Sequence, residues 1–148
     1  MAADYSGEPT SYFIHIMGQQ GNTQGDLGWS ELNTKDAAGA LKFYSSLVGW
    51  EAKGEPMPGY HIFGRGGEML GGISDAHCGE GEKKAPQWMP YITVDDLDAT
   101  LAKVEGLGGK VIMPAMAIPN DGGRIAIIQD PQGVATGLAQ YKKKECAA

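Results

Sequence analysis

Alternate positions of one predicted strand carry three side chains suited to binding and proton transfer. Trp29, Glu31 and Asn33 follow one another at a spacing of two, so they point to one face of that strand. A second predicted strand has the same alternation and adds three candidate ligand-binding residues: Met89, Tyr91 and Thr93. A surface rich in aromatic and methionine side chains suits a flat or apolar molecule.

Glu31 is the residue in this set with the most chemistry available to it. A buried carboxylate is costly unless it is paired or hydrogen-bonded. Burial would favour proton uptake, which would let Glu31 act as a general acid or base, and its oxygens could also hold a ligand's donor group. A structural role, in which Glu31 bonds backbone amides or Arg124 across the sheet, is an equal alternative.

Two other residues are candidates with open alternatives. His61 lies on a short predicted strand whose pattern does not show which way it faces. It would be an acid/base partner of Glu31 in one orientation and a sheet-packing or exposed residue in the other. Arg124 opens a strand, where it would either clamp an anionic ligand group or form a surface salt bridge.

The sequence predicts the same order of elements twice along the chain: a strand, a helix and three strands. The predicted strands cover residues 28–34, 50–57, 60–65, 68–74, 88–94, 110–118, 124–129 and 134–141. Asp36 caps the first helix and Asp95 or Asp96 the second, while Gly49 and Gly108-Gly109 end them. Because Asp36 and Asp96, like Gly49 and Gly109, are 60 positions apart, the pattern indicates a duplicated βαβββ module.

The repeat sets the expected domain bounds. One domain covers residues 27–141, with module one at 27–75 and module two at 87–141. Residues 1–26 form an N-terminal extension, whose apolar run at 12–17 predicts an edge strand, a dimer contact or a loosely docked leader. Residues 142–148 form a tail.

Composition excludes several functional classes. The net charge of −6 disfavours nucleic-acid and anionic-membrane partners, which require a positive surface. The chain has neither a signal-peptide pattern nor an apolar run long enough to span a membrane. Two cysteines without metal-ligand spacing are expected to be free thiols, with a single disulfide as the alternative. The expected location is the cytoplasm.

The ordered set of motifs resembles the vicinal oxygen chelate superfamily, which contains glyoxalases, bleomycin-resistance proteins and dioxygenases. Within it, the chain looks closest to metal-free, hydroxylase-like, glyoxalase-related proteins. The match is carried by Trp29-Ser30-Glu31-Leu32-Asn33-Thr34, Asp36, Phe43-Tyr44, Gly49-Trp50, Gly71-Gly72, Trp88, Tyr91-Ile92-Thr93-Val94-Asp95-Asp96, Gly108-Gly109 and Asp130-Pro131-Gln132-Gly133. The resemblance implies an α+β fold of two βαβββ modules, whose curved mixed sheets form a half-barrel cleft with the helices outside.

The same resemblance implies where a metal ion would be held in family enzymes. Counting from helices and turns places the four ligand positions at Trp29, Gly71, Met89 and Gly137. None of these residue types is a ligand for a hard divalent metal, which requires imidazole nitrogen or carboxylate oxygen. We therefore expect no metal and no other cofactor.

Together these observations favour a metal-independent protein that binds a small aromatic or planar molecule in the cleft. The alternative is a glyoxalase-family enzyme of the lyase, isomerase or dioxygenase type, which would use Glu31 as acid/base, with His61 as its partner, or a non-standard metal site. Whether any reaction is catalysed stays open at this point. The expected partners are a small-molecule ligand and a second copy in a homodimer, because the sheets expose edges.

Overall fold

The computed structural model describes residues 23–75 and 85–142. These residues form two compact units, unit 1 with residues 29–75 and 85–89, and unit 2 with residues 23–28 and 90–142. The apolar run at 12–17, both cysteines and residues 143–148 lie outside the described residues. Neither helix of the described part has the length and apolar character needed to cross a bilayer.

Unit 1 has the predicted order of elements. It contains β1 (Leu27–Asn33, in unit 1 from Trp29 on), α1 (Ala37–Val48), β2 (Glu51–Met57), β3 (Tyr60–Arg65) and β4 (Glu68–Ser74). The strand order is β2-β3-β4-β1, with β1 parallel to β4 and the other pairs antiparallel.

Unit 2 repeats this order. It contains β5 (Gln87–Thr93, in unit 2 from Pro90 on), α2 (Leu97–Val104), β6 (Lys110–Ala117), β7 (Gly123–Gln129) and β8 (Ala135–Tyr141), with short 3-10 helices at Glu105–Leu107 and Pro119–Asp121. The strand order is β5-β8-β7-β6, with β5 parallel to β8. The predicted α+β fold, with βαβββ used twice, is confirmed.

The helix ends follow the predicted capping residues with one exception. The Asp36 and Asp96 side chains accept backbone N–H bonds at 2.9 and 3.0 Å, so Asp96 caps the second helix rather than its neighbour. Gly49 has a left-handed φ of 77° at the end of α1. In unit 2 the left-handed residue is Gly108, at φ 90°, rather than Gly109, because a 3-10 turn follows α2 and changes the local residue count.

Each unit has its own apolar core between its sheet and its helix. In unit 1 this core comprises Leu32, Ala37, Phe63 and Ile73, and in unit 2 it comprises Val94, Leu97, Ala126 and Leu138. The sheet side that carries these residues is called the helix-facing side, and the opposite side the helix-distal face. Leu32 and Val94 lie on the helix-facing side, as their alternation predicted.

Candidate functional site

The helix-distal face of unit 1 is defined by strand register. Leu32 pairs with Ile73 on the helix-facing side, so the neighbouring pairs of β1 and β4 point the other way. Strand β3 extends the face, because Tyr60 pairs with Ser74 and Ile62 pairs with Gly72. The face comprises Trp29, Glu31, Asn33, Tyr60, Ile62, Gly72 and Ser74.

An aromatic pair spans this face. The indole N–H of Trp29 donates a hydrogen bond to the hydroxyl oxygen of Tyr60 at 2.9 Å, and the pair is partly buried. The Tyr60 side chain crosses Gly72, where a Cβ atom would lie 2.2 Å from the phenolic oxygen and 2.4 Å from the ring carbon that bears it. Glycine at position 72 therefore lets Tyr60 lie across the sheet and reach the indole.

Buried polar side chains lie beside the aromatic pair. Glu31 is 5% exposed and Asn33 is 7% exposed, while Ser74, which pairs with Asn33, is 1% exposed. Within the described residues, the side-chain oxygen of Asn33 is buried without a hydrogen-bond partner. Buried polar atoms are nearly always paired in folded proteins, so this oxygen marks a place where a donor is expected.

His61 does not join this group. It pairs with Ile73 across β3 and β4, and it shares a strand face with Phe63, two residues further along. Both neighbours belong to the apolar core under α1, so His61 points to the helix-facing side. The predicted acid/base partnership with Glu31 is therefore wrong in this geometry, because successive residues of a strand face opposite sides.

The residues at the family's metal-ligand positions do not fit a divalent ion. Trp29, Met89 and Gly137 supply neither imidazole nor carboxylate, and within the described ranges no three His, Cys, Asp or Glu side chains come together as a metal site. On β4 the prediction that Gly71 points into the site is wrong, since Gly71 pairs with Phe63 and Ser30 on the helix-facing side. Gly72 occupies the helix-distal position instead, and it also lacks a donor.

Unit 2 has an apolar helix-distal face. Tyr91 pairs with Gly137 and Thr93 with Ala139, while the core residues Ala126 and Leu138 pair on the opposite side. Antiparallel pairing on β7 and β6 adds further residues to the same face: Ile125, Ile127, Met113 and Met116. These side chains are half-buried to exposed, so the face has an accessible apolar and polarizable surface.

Two tyrosines belong to this face of unit 2. Tyr91 is 3% exposed, and its ring covers Gly137, where a Cβ atom would lie 2.3 Å from the nearest ring carbon. Tyr141 lies two residues beyond Ala139 on β8, and burial raises the pKa of its hydroxyl to about 12. Met89, Tyr91 and Thr93 are all buried and alternate with half-buried residues, as their spacing predicted.

Arg124 is placed away from this face. It pairs with Gln140 on the helix-facing side of β7, where its guanidinium forms a bidentate salt bridge with Asp98 of α2 at 2.7 and 2.9 Å. This hydrogen bonding lowers the pKa of the Asp98 carboxyl and raises that of Arg124. The surface alternative is confirmed, and the predicted ligand contact is wrong because the strand directs Arg124 towards the helix.

Comparison with known proteins identifies the family. The model of the Glyoxalase/Bleomycin resistance protein/Dioxygenase superfamily matches residues 26–138. The chain belongs to this superfamily. The match covers both βαβββ modules, and it confirms the resemblance inferred from the repeated motifs.

Individual relatives agree with this membership. "Putative glyoxylase CFP32" of Mycobacterium tuberculosis is 43% identical over 124 residues, which are 81% of this chain and 47% of that protein. "Anthracycline biosynthesis protein DnrV" of Streptomyces peucetius is 31% identical over 125 residues, 75% of this chain and 45% of that protein. The chain thus spans about half the length of the curated relatives it matches.

A solved structure supports the fold alone. The methylmalonyl-CoA epimerase of Mycobacterium tuberculosis superposes with a TM-score of 0.57 at 19% identity, covering 90% of this chain and 98% of the epimerase. At this identity the likeness extends to the arrangement of strands and helices. The activity in the epimerase's name is not transferred to this chain.

The structure adds residues that the sequence analysis did not select. Tyr60 joins Trp29, and Ile125 and Ile127 join Tyr91. No local signal placed Tyr60, because the successive residues Ile62 and Phe63 are both apolar and buried on opposite faces of β3. No local signal placed Ile125 and Ile127, since β7 is apolar at nearly every position.

Proposed function

We propose that this protein binds a small aromatic or planar molecule without the help of a metal ion. The observation that carries the proposal is the aromatic pair of unit 1, in which the Tyr60 hydroxyl holds the Trp29 indole across Gly72 on the helix-distal face. An indole fixed in this way presents a flat apolar surface at little conformational cost. A planar ligand gains most from such a surface.

Other features support the same ligand class. The helix-distal face of unit 2 combines the Tyr91 ring with isoleucine and methionine side chains, which pack well against flat apolar molecules. One relative's name refers to the biosynthesis of anthracyclines. The residue types at the metal positions support a role without a bound ion.

A thermal-shift screen against aromatic metabolites, antibiotics and divalent metal salts tests the proposal. Stabilisation grows with the ratio of ligand concentration to its dissociation constant, so aromatic compounds should raise the melting temperature and metal salts should not. One tightly held divalent ion per chain, found by elemental analysis of the purified protein, would refute metal independence.

Substitution of Trp29 locates the binding surface. Trp29→Ala should weaken binding of a compound found in the screen by about tenfold or more, which corresponds to about 1.4 kcal/mol for a lost aromatic contact. Trp88→Leu is the matched control, because the Trp88 ring packs against Trp50 and Phe63 on the helix-facing side of unit 1. Equal binding by wild type and Trp29→Ala, measured by calorimetry, would place the ligand elsewhere.

A second candidate function is proton-transfer catalysis by Glu31. The specific observation is that this carboxylate is 5% exposed on the same face as Trp29, a setting in which acids and bases are often tuned for catalysis. A substrate screen that finds turnover in wild type and none in Glu31→Gln would favour the enzyme. Turnover that survives Glu31→Gln would exclude this residue as the acid or base.

We also propose that the protein is a cytoplasmic homodimer that binds neither nucleic acid nor membranes. The acidic charge of −6 supports the last two points, because phosphate-rich surfaces attract basic proteins. Light scattering that gives the mass of one chain would refute the dimer.

A further inference from the structure

The side-chain oxygen of Asn33 is a buried hydrogen-bond acceptor on the helix-distal face of unit 1. Asn33 is 7% exposed, and its oxygen has no hydrogen-bond partner within the described residues. An amide oxygen removed from water without a donor is unfavourable, and folded proteins nearly always supply one. We propose that Asn33 accepts a hydrogen bond from a hydroxyl or amino group of the aromatic ligand, an inference that rests on the proposed function.

The donor of the neighbouring aromatic pair is already used by another group. The Trp29 indole N–H, the donor closest along the strand on the same face, is committed to the Tyr60 hydroxyl at 2.9 Å. Trp29 and Asn33 lie on the same strand face, so a ligand with its ring against the indole can direct a donor towards Asn33.

The hydrogen-bond acceptors of the face define the ligand's chemical class. Glu31 lies between Trp29 and Asn33 on the same strand face, so a carboxylate and an amide oxygen occur in succession. The Asn33 oxygen can only accept a hydrogen bond. This position therefore favours aromatic compounds with a hydroxyl or amino group over the corresponding ethers.

Matched compounds test this selection directly. We would measure by calorimetry the dissociation constants of 1-naphthol and 1-methoxynaphthalene, which share a ring system and differ in the donor. Wild type should bind 1-naphthol at least tenfold more tightly, because the ether leaves the Asn33 oxygen buried and unpaired. Asn33→Leu should abolish this preference, so that the two dissociation constants become about equal. Asn33→Asp keeps an acceptor oxygen and should retain the preference.

The outcomes separate this inference from the proposed function. Equal binding of the two compounds to wild type, or an unchanged preference in Asn33→Leu, would overturn the Asn33 contact and leave aromatic binding intact. Failure of both compounds to bind would overturn both proposals.

A second measurement applies if Asn33→Leu does not fold. In wild type, the side-chain amide resonances of Asn33 should shift on addition of 1-naphthol and stay in place with 1-methoxynaphthalene. Equal shifts with both compounds would refute the contact.

Discussion

Gly137→Ala is the substitution whose effect follows most directly from the structure. A methyl group at position 137 would lie 2.3 Å from one carbon of the Tyr91 ring, with two more ring carbons at 2.5 and 2.6 Å. Ordinary contact between carbon atoms is about 3.5 Å or more, so the ring would have to move by about 1 Å. Tyr91 is 3% exposed and has little room for this movement.

The expected cost is that of overpacking a close contact. Inserting a methyl group into a packed position destabilises a protein by about 1–3 kcal/mol. For a chain of this size, each kcal/mol lowers the melting temperature by about 2–4 °C, so we expect a decrease of about 2–12 °C. Thermal and urea unfolding followed by circular dichroism would measure it. Gly106→Ala is the control, because nothing lies within 4 Å of its added methyl group.

A double-mutant cycle identifies the cause of the loss. If the Tyr91 ring is the obstacle, Gly137→Ala should cost much less in a Tyr91→Ala background than in wild type. An equal loss in both backgrounds, or a Gly137→Ala protein within about 0.5 kcal/mol of wild type, would refute the explanation.

Three further predictions concern titration and helix ends. Because burial raises the pKa of Tyr141 to about 12, its hydroxyl stays protonated in the folded state while the unfolded state ionises near 10. Its contribution to stability is therefore complete below about pH 10 and lost as the pH rises to about 12, by up to about 3 kcal/mol. Urea unfolding of wild type and Tyr141→Phe across this range should show the extra loss in wild type alone. Gly49→Ala should lower the free energy of unfolding by about 1 kcal/mol, because a φ of 77° disfavours a residue with a side chain. A steric clash does not contribute, because no atom lies within 4 Å of the added methyl group. Asp36→Ala and Asp96→Ala should each cost about 1 kcal/mol of unfolding free energy by removing a helix cap, and an unchanged urea midpoint would contradict this.

The order of elements could be predicted because the signals for it are local. A capping aspartate, apolar residues at helical spacing and glycine-rich turns each involve neighbours in sequence. Strands β3 and β4 have the predicted bounds. The ends of the other predicted strands lie within one residue of those in the structure. The face of β1 was predictable for the same reason, because residues at a spacing of two share a strand face and Leu32 lies in the core on the other side.

Strand register explains the error at Gly71. Counting from the turn before β4 with strict alternation would make Gly71 the partner of Ile62, on the helix-distal face. A β-bulge lies between the pairs Gly64–Met69 and Phe63–Gly71, so Leu70 is skipped in the pairing with β3. Ile62 therefore pairs with Gly72 and not with Gly71. One additional residue reverses the orientation of all that follow, and pairing across strands is needed to detect it.

By itself, the sequence determined the family, the repeated βαβββ order, the helix caps and the two alternating sets of candidate residues. Only the tertiary structure decided that Tyr60 rather than His61 joins Trp29, and that Arg124 pairs with Asp98. The physical reason is the separation along the sequence over which each effect acts. Propensity, capping and alternation depend on residues a few positions apart, whereas the direction and partner of a side chain depend on register between strands and helices distant in sequence.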